Sequence, residues 1–326
     1  MTVTDPVLLH LWHPVLQSKD LTDRPVSATV LGERVVVFRT SAGARALKDL
    51  CIHRGVPLSL GKVRGDELVC AYHGWTYDGC GACTRIPSMP EGSAIPLKAR
   101  TPAYACREAH GFVWVCVGNP PSEEPNVGMN GPGEGFRQVL MGPYELEAAA
   151  PRVVENFLDI SHLMYVHEGL LGDSGHAEIG DYRVHEDGGS LKTDEIEVFQ
   201  PDPDGRGAGV VAAYTYEVYH PVSVSLSKRL DRSEDRFHLY LFVLPISEGR
   251  SAVFMVMERN YALDEPDEPF IAFQDKLLEQ DRVIVESQKP ELLPLDLQAE
   301  LHLRCDRLAI AYRKLLRRSG VTFGTA

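Results

Sequence analysis

The sequence predicts an α+β fold in two parts, an all-β N-terminal unit followed by a larger antiparallel sheet accompanied by helices. Three observations predict it. Over residues 1–118, short β-branched and aromatic runs alternate with glycine-rich turns. A proline- and glycine-rich stretch at 119–135 reads as a linker. Beyond it, strand-like runs between 209 and 260 lie among helical patterns at 153–164, 267–289 and 299–319. A length of 326 residues suits two domains, and 44% apolar residues lets both bury a core.

Taken in order, 35–40 and 46–50 read as strands joined at Ser41-Ala-Gly43. Glu67–Cys70 reads as another, and His110–Val117 as a buried strand closing the first unit. In the second part, Gly209–His220, Val222–Ser227, Phe237–Pro245 and Ala252–Asn260 read as antiparallel strands. Residues 237–244 are apolar on both faces, which predicts a sheet covered on both sides. Gly320 is the expected end of the last helix.

The first unit carries Cys51-Ile-His53 and, after sixteen residues, Cys70-Ala-Tyr-His73-Gly-Trp75. C-x-H and C-x-x-H on two loops supply two thiolates to one iron and two imidazoles to another, the ligand set of a Rieske [2Fe–2S] centre. A structural zinc would pair Cys with Cys and His with His, whereas these alternate. Neutral imidazoles leave less negative charge on the cluster and raise its potential to about −150 to +300 mV. The motif therefore predicts a single-electron carrier.

Seven cysteines, an odd number, favour a reducing cytoplasm over a disulfide framework. Cys80-Gly-Ala-Cys83 reads as a turn with two free thiols. No apolar run is long enough to span a membrane, and the N-terminus does not read as a secretory signal. A net charge of −13 argues against nucleic acid. Residues 45–100 run against that trend, with eight Lys/Arg and five Asp/Glu. Arg54, Lys62 and Arg64 there form either an ordinary mixed surface or a docking face for an acidic electron donor.

The second part holds Asn156-Phe-Leu-Asp159-Ile-Ser-His162-Leu-Met-Tyr-Val-His167. Two His and one carboxylate on one face of a metal form the non-haem Fe(II) arrangement for O2 activation. Five positions turn a helix by about 500°, leaving the two rings about 140° apart. Both reach one metal only where the helix ends or distorts, and Glu168-Gly169 is the expected end. Asn156, Asp159 and His162 are expected on one helical flank, with Asp159 accepting a hydrogen bond from the far nitrogen of His162. The third ligand is sought in helix 267–289. Phe273, Leu277, Ile284 and Val285 define an apolar stripe that includes Asp281, while Asp275, Glu279 and Glu286 fall off it. A carboxylate facing a core needs a positive partner, which iron or an Arg would provide. Leu158, Met164, Val166, Leu170, Tyr216, Phe242, Met255 and Met257 are pocket candidates, each reading equally well as plain core.

With both metal motifs in one chain, the sequence resembles the Rieske non-haem iron oxygenases, catalytic α subunits. The likeness runs from Trp12-His-Pro through the cluster motif and the 156–167 segment to Gln280–Gln288. In its compact size the chain looks like the homotrimeric branch of monooxygenases and demethylases. His167-Glu-Gly-Leu-Leu-Gly-Asp173 and Gly320-Val-Thr-Phe-Gly are also similar to saxitoxin-pathway hydroxylases. Ala71 departs from the Cys-Pro-Tyr-His usual in the family and removes no ligand.

The resemblance implies a Rieske domain over 1–118, a linker over 119–135 and a helix-grip (START-like) catalytic domain over 136–326. The residues themselves place one [2Fe–2S] cluster at Cys51, His53, Cys70 and His73 and one mononuclear Fe(II) at His162 and His167, with Asp281 favoured as third ligand on the cost of an unpaired carboxylate facing the core. The resemblance implies that Asp159, beside Asn156, links His162 to His73 of the partner subunit in a homotrimer. The chain has no dinucleotide or flavin motif. Electrons are then expected from a separate NAD(P)H-dependent reductase, directly or through a ferredoxin. The expected reaction uses O2 to hydroxylate or O/N-demethylate an aromatic or polycyclic small molecule. Two other readings share the sequence: a cis-dihydroxylating ring dioxygenase, and an electron carrier whose second domain only binds a ligand.

Overall fold

The computed structural model describes residues 5–129, 133–203, 209–230 and 234–326. Residues 1–4, which bear on the reading of the N-terminus, and 130–132 of the expected linker lie outside the described residues. The chain divides into two compact units, one ending at Asn126 and the other beginning at Val127.

The first unit is all-β. Strands β1 (His13–Gln17), β2 (Val26–Val30), β3 (Glu33–Thr40), β4 (Gly43–Lys48), β5 (Lys62–Arg64), β6 (Glu67–Val69), β7 (Thr76–Tyr77), β8 (Cys83–Arg85), β9 (Ala103–Ala109) and β10 (Phe112–Cys116) form two antiparallel sheets. Six strands run in the order β1-β10-β9-β4-β3-β2 and four in the order β5-β6-β7-β8. Residues 35–38 are fully buried, so this β-branched run anchors the larger sheet. Val36, Phe38, Leu47, Leu68 and Tyr77 share one core cluster with Cys51 and Cys70. Asp49, at the end of β4, is buried and accepts hydrogen bonds from Ser27, Arg34 and both the N–H and hydroxyl of Ser59. These bonds pin the chain on both sides of the first cluster loop.

The second unit is built on β11 (Arg137–Leu146), β12 (Val184–Asp187), β13 (Ser190–Thr193), β14 (Ile196–Gln200), β15 (Val210–His220), β16 (Ser223–Leu230), β17 (Arg236–Ser247) and β18 (Arg250–Arg259). They form an antiparallel sheet in the order β11-β18-β17-β16-β15-β13-β12, with β14 also paired to β15. Helices α1 (Ala150–Leu158), α2 (Glu268–Ser287) and α3 (Arg307–Ser319) accompany it, α1 touching β17, β18, α2 and α3. In β17 the burial alternates at first, then runs unbroken from Leu241 to Pro245. The sheet is thus covered on both faces over that half, as the apolar run predicts. Gly320 ends α3 at φ 85°, its N–H closing onto Leu316 and Arg317 carbonyls.

Two helices differ from their expected form: the last, read from 299, begins only at Arg307 after a 3₁₀ turn at Arg304–Asp306, and the first is shorter. The segment read as helix from 153 to 164 is helical only to Leu158, followed by a 3₁₀ turn at Ser161–Met164. Asp159 between them is extended, at φ −81°, ψ 118°. Asn156, Asp159 and His162 therefore do not share one helix flank. The Asp159 carboxylate accepts from the N–H and hydroxyl of Ser161, an Asx-type turn that competes with helix continuation.

Candidate metal centres

The two cluster loops are built alike. In each, the Cys N–H donates to the carbonyl five residues on, Cys51 to Val56 and Cys70 to Trp75, both at 2.8 Å. In each, the glycine four residues on donates back to the Cys carbonyl, Gly55 at 2.8 Å and Gly74 at 3.1 Å. Those glycines sit at φ +72° and +68°, where a Cβ would be strained. This turn buries both thiols and leaves the imidazoles nearer the surface, His73 being exposed.

The surroundings fit a cluster. Burial pushes the Cys70 thiol pKa up and the neighbouring Cys51 adds to it, so two thiolates side by side call for a compensating cation. The His53 and His73 rings lie 4.6 Å apart, and His53 stacks on Trp75 at 4.6 Å and 5°. His53 Nδ1 has no hydrogen-bond partner among the described residues, which leaves it available to a metal. The Tyr77 hydroxyl meets Cys51 Sγ at 3.2 Å.

The second centre arises where α1 stops. The irregular 159–167 segment brings the His162 and His167 rings to 5.1 Å between centroids, with their Nε2 atoms 3.3 Å apart. The required break in the helix thus comes before His162, earlier than the expected Glu168-Gly169. From α2, Asp281 Oδ1 lies 3.4 Å from His162 Nε2 and 3.3 Å from His167 Nε2. Three donor atoms at mutual distances of 3.3–3.4 Å can all reach one ion at bonds of about 2.1 Å with angles near ~105°.

Other groups prepare these donors. His167 Nδ1–H donates to Gln280 Oε1 at 2.9 Å, which leaves the lone pair on Nε2. Asn156 Nδ2 donates to Asp281 Oδ1 at 3.4 Å. Burial pushes the His162 pKa down, against the opposing pull of Asp281 and Asp159. Its Nδ1 meets no side chain among the described residues and faces the Asp159 backbone, so the expected bond to the Asp159 carboxylate is not formed here. No Arg or Lys pairs with Asp281 among the described residues. Of its rivals, Asp275 accepts from the Tyr144 hydroxyl, and Glu279 and Glu286 meet Arg282. The buried stripe of α2 is Phe270, Leu277, Leu278 and Val285, while Ile284 is exposed.

A cavity of about 90 Å³ adjoins the three donors. Its walls are mainly apolar, from Val153 and Phe157 of α1, Leu277 and Leu278 of α2, and Leu226, Leu239, Leu241 and Met255 of the sheet. Tyr214, Tyr216, Asn156 and Gln274 are its polar side chains besides the donors. Of the pocket candidates, Tyr216 and Met255 line the wall, Leu158, Met164, Phe242 and Met257 take the core reading, and Val166 and Leu170 do not line the cavity.

Residues 11–104 match the Rieske [2Fe-2S] domain, and residues 146–320 match the vanillate O-demethylase oxygenase C-terminal domain. The chain belongs to the Rieske non-haem iron oxygenases. Methylxanthine N1-demethylase NdmA of Pseudomonas putida is 31% identical over 95% of this chain and 88% of its own. Methylxanthine N3-demethylase NdmB of Pseudomonas putida is 30% identical over 94% and 88%. The structure of Pseudomonas putida CBB5 NdmA with caffeine superposes with a TM-score of 0.83 at 30% identity, covering 95% of this chain and 90% of that one. As a Rieske oxygenase the chain is an O2-incorporating oxidoreductase with a [2Fe–2S] cluster and a mononuclear iron, and it hydroxylates or demethylates an aromatic small molecule.

Sequence reasoning missed Gln280, Gln274 and Tyr77. Gln280 directly precedes Asp281, and a polar residue beside a metal-facing carboxylate was the available signal.

Proposed function

We propose that this oxygenase removes a methyl group from a nitrogen of a flat heteroaromatic molecule. In this reading Cys51, His53, Cys70 and His73 hold the cluster, and His162, His167 and Asp281 hold the Fe(II). The observation that carries it is the convergence of three donor atoms within 3.4 Å of one another beside an apolar cavity. Bound there, the iron would supply O2 activation and the cluster single electrons.

The rest falls to the chain's own side chains. Asn156 steadies the Asp281 carboxylate. Gln274 stands two turns before Asp281 on α2, roughly 10 Å along its axis. It lines the cavity and has no hydrogen bond among the described residues. Its amide offers a donor and an acceptor side by side, matching the N–H and C=O of a lactam or imide edge. A planar ring paired to Gln274 at that end presents its opposite N-methyl group toward the three donors. The N-demethylase relatives support the same chemistry.

Asp159 is assigned the bridge from His162 to His73 of the partner subunit in a homotrimer. Support comes from the His162 Nδ1 facing Asp159 without a side-chain partner among the described residues, the exposed His73 and a cavity of about 230 Å³ lined by Asp159 and His162 beside the exposed Leu301. Electrons come from a separate NAD(P)H-dependent reductase, directly or through a ferredoxin. The setting is the cytoplasm, supported by the five cysteines besides the cluster ligands, none of them in a disulfide. No helix of the described residues is long and apolar enough to cross a membrane.

The test is product analysis with N-methylated lactam heterocycles, O2 and a surrogate reductase. Demethylation converts the N-methyl compound, O2, two electrons and two protons into the N–H compound, formaldehyde and water. Formaldehyde should appear in step with O2 consumed, and Gln274→Leu should raise KM more than it lowers kcat. A ring diol without formaldehyde would contradict the reading.

A further inference from the structure

The four cations nearest the cluster loops, Arg54, Lys62, Arg64 and Arg85, are all exposed, and none forms an ion pair among the described residues. Elsewhere in the same unit Arg34, Arg39, Lys48 and Arg107 are matched to a carboxylate, while Lys19, Arg24, Arg45, Lys98 and Arg100 are not among the described residues, so the clustering in one groove rather than the lack of a pair sets these cations apart. Three of the four, Lys62, Arg64 and Arg85, line one groove of about 430 Å³. No Asp or Glu lines it. Of the two carboxylates nearest Arg64, Asp66 is turned to Ser41, whose N–H and hydroxyl hold its pKa low, and Glu67, opposite Arg64 across the β5–β6 pair, makes no ion pair with it and does not line the groove. The groove's remaining lining includes Cys70, Ala71 and Gly74 of the second cluster loop, with the exposed Leu60 at its rim.

Uncompensated like charges around a concavity raise the local potential and steer an oppositely charged partner. This surface departs from the chain as a whole. Residues up to Asn126 carry 13 Lys/Arg against 12 Asp/Glu, whereas the rest carry 20 against 34. We infer that the Lys62–Arg64–Arg85 groove is the docking site of an acidic electron-carrier protein. This rests on the separate-donor reading above and gives that donor its place. An electron arrives on the flank of the second loop, against the backbone of Cys70, and leaves by the exposed His73. Entry and exit then use different surfaces of one cluster, so a donor can bind while His73 faces a partner subunit.

The test uses the cluster-loaded full chain, an acidic plant-type [2Fe–2S] ferredoxin kept reduced by its own reductase, and methyl viologen radical cation as a cationic counter-probe. Lys62→Glu/Arg64→Glu/Arg85→Glu should slow cluster reduction by the ferredoxin about tenfold or more at low ionic strength. It should weaken ferredoxin binding, read as Kd, in parallel. Both differences should vanish near ~0.5 M salt, where screening acts within a few ångströms. Reduction by methyl viologen should not slow, and sedimentation should give an unchanged oligomer. The neutral pair Lys62→Gln/Arg64→Gln should give a smaller effect of the same sign and covers a failure of the triple variant to fold. Equal ferredoxin rates in variant and parent, slowing with methyl viologen too, or a broken oligomer would each overturn the groove as donor site. If the parent accepts electrons from methyl viologen but not from ferredoxin, the separate-donor reading falls, and the groove falls with it.

Discussion

His167 is anchored by the residue next to the third donor: its Nδ1–H donates to Gln280 Oε1 at 2.9 Å, while Asp281 Oδ1 lies 3.3 Å from its Nε2. One turn of α2 thus fixes both the tautomer of one imidazole and the position of the carboxylate. Hydrogen bonds of this kind orient a ligating ring, and their loss typically costs about 10–100-fold in metal affinity. Gln280→Leu should weaken Fe(II) binding by about that factor in chelator competition. Gln280→Glu keeps an acceptor and should restore most of it. Equal affinity in Gln280→Leu and the parent would remove this role.

Arg313 joins the last helix to the helix that leads into the site. Its guanidinium bonds both oxygens of Glu155, at 2.5 and 2.7 Å, and also meets Glu300. Arg313 and Glu155 are both buried. Removing one partner of a buried pair leaves an uncompensated charge and costs about 3–5 kcal/mol. Arg152 also faces Glu155 at 3.8 Å and Glu300 at 2.9 Å, so Arg313→Met should destabilise the second unit by somewhat less than that in urea unfolding, and the added change Glu155→Leu should recover part of it. An unchanged unfolding midpoint in Arg313→Met would contradict this.

How much of this was legible beforehand depends on what kind of signal each part leaves. Cys51, His53, Cys70 and His73 stand out because ligand chemistry dictates their spacing. The long strands of the second sheet show in their apolar runs. β11 was missed because Gly142-Pro143 interrupts it, and proline within a run reads as a strand end. The end of α1 was misplaced because Ser161 captures the Asp159 carboxylate, a competition between side chain and backbone that periodicity does not register. Gln280 could not be ranked among the polar residues of α2 until the fold placed His167 against it.

His13 should give the first unit an acid-sensitive step. The ring is fully buried, its Nε2–H donates to Leu8 O at 2.8 Å, and burial lowers its pKa to about 4. The unfolded chain, with an ordinary His pKa near ~6.5, takes up a proton that the folded unit refuses. Stability is therefore full above the unfolded value and falls as pH drops toward the folded one, by about 2 kcal/mol at pH 5. Urea unfolding of the parent and His13→Gln at pH 7 and pH 5 checks this. The parent should lose more than the variant, and equal losses would show that His13 does not titrate this way.

The most direct measurement is iron and labile sulfide per chain in anaerobically prepared protein, for the parent and for Asp281→Ala, with O2-dependent turnover followed in both. The parent should hold one iron beyond those of its cluster. Asp281→Ala should lose that iron and its turnover while keeping the sulfide and the visible cluster spectrum. Full iron and turnover without Asp281, or a parent with no iron beyond its cluster, would contradict a second centre at His162, His167 and Asp281.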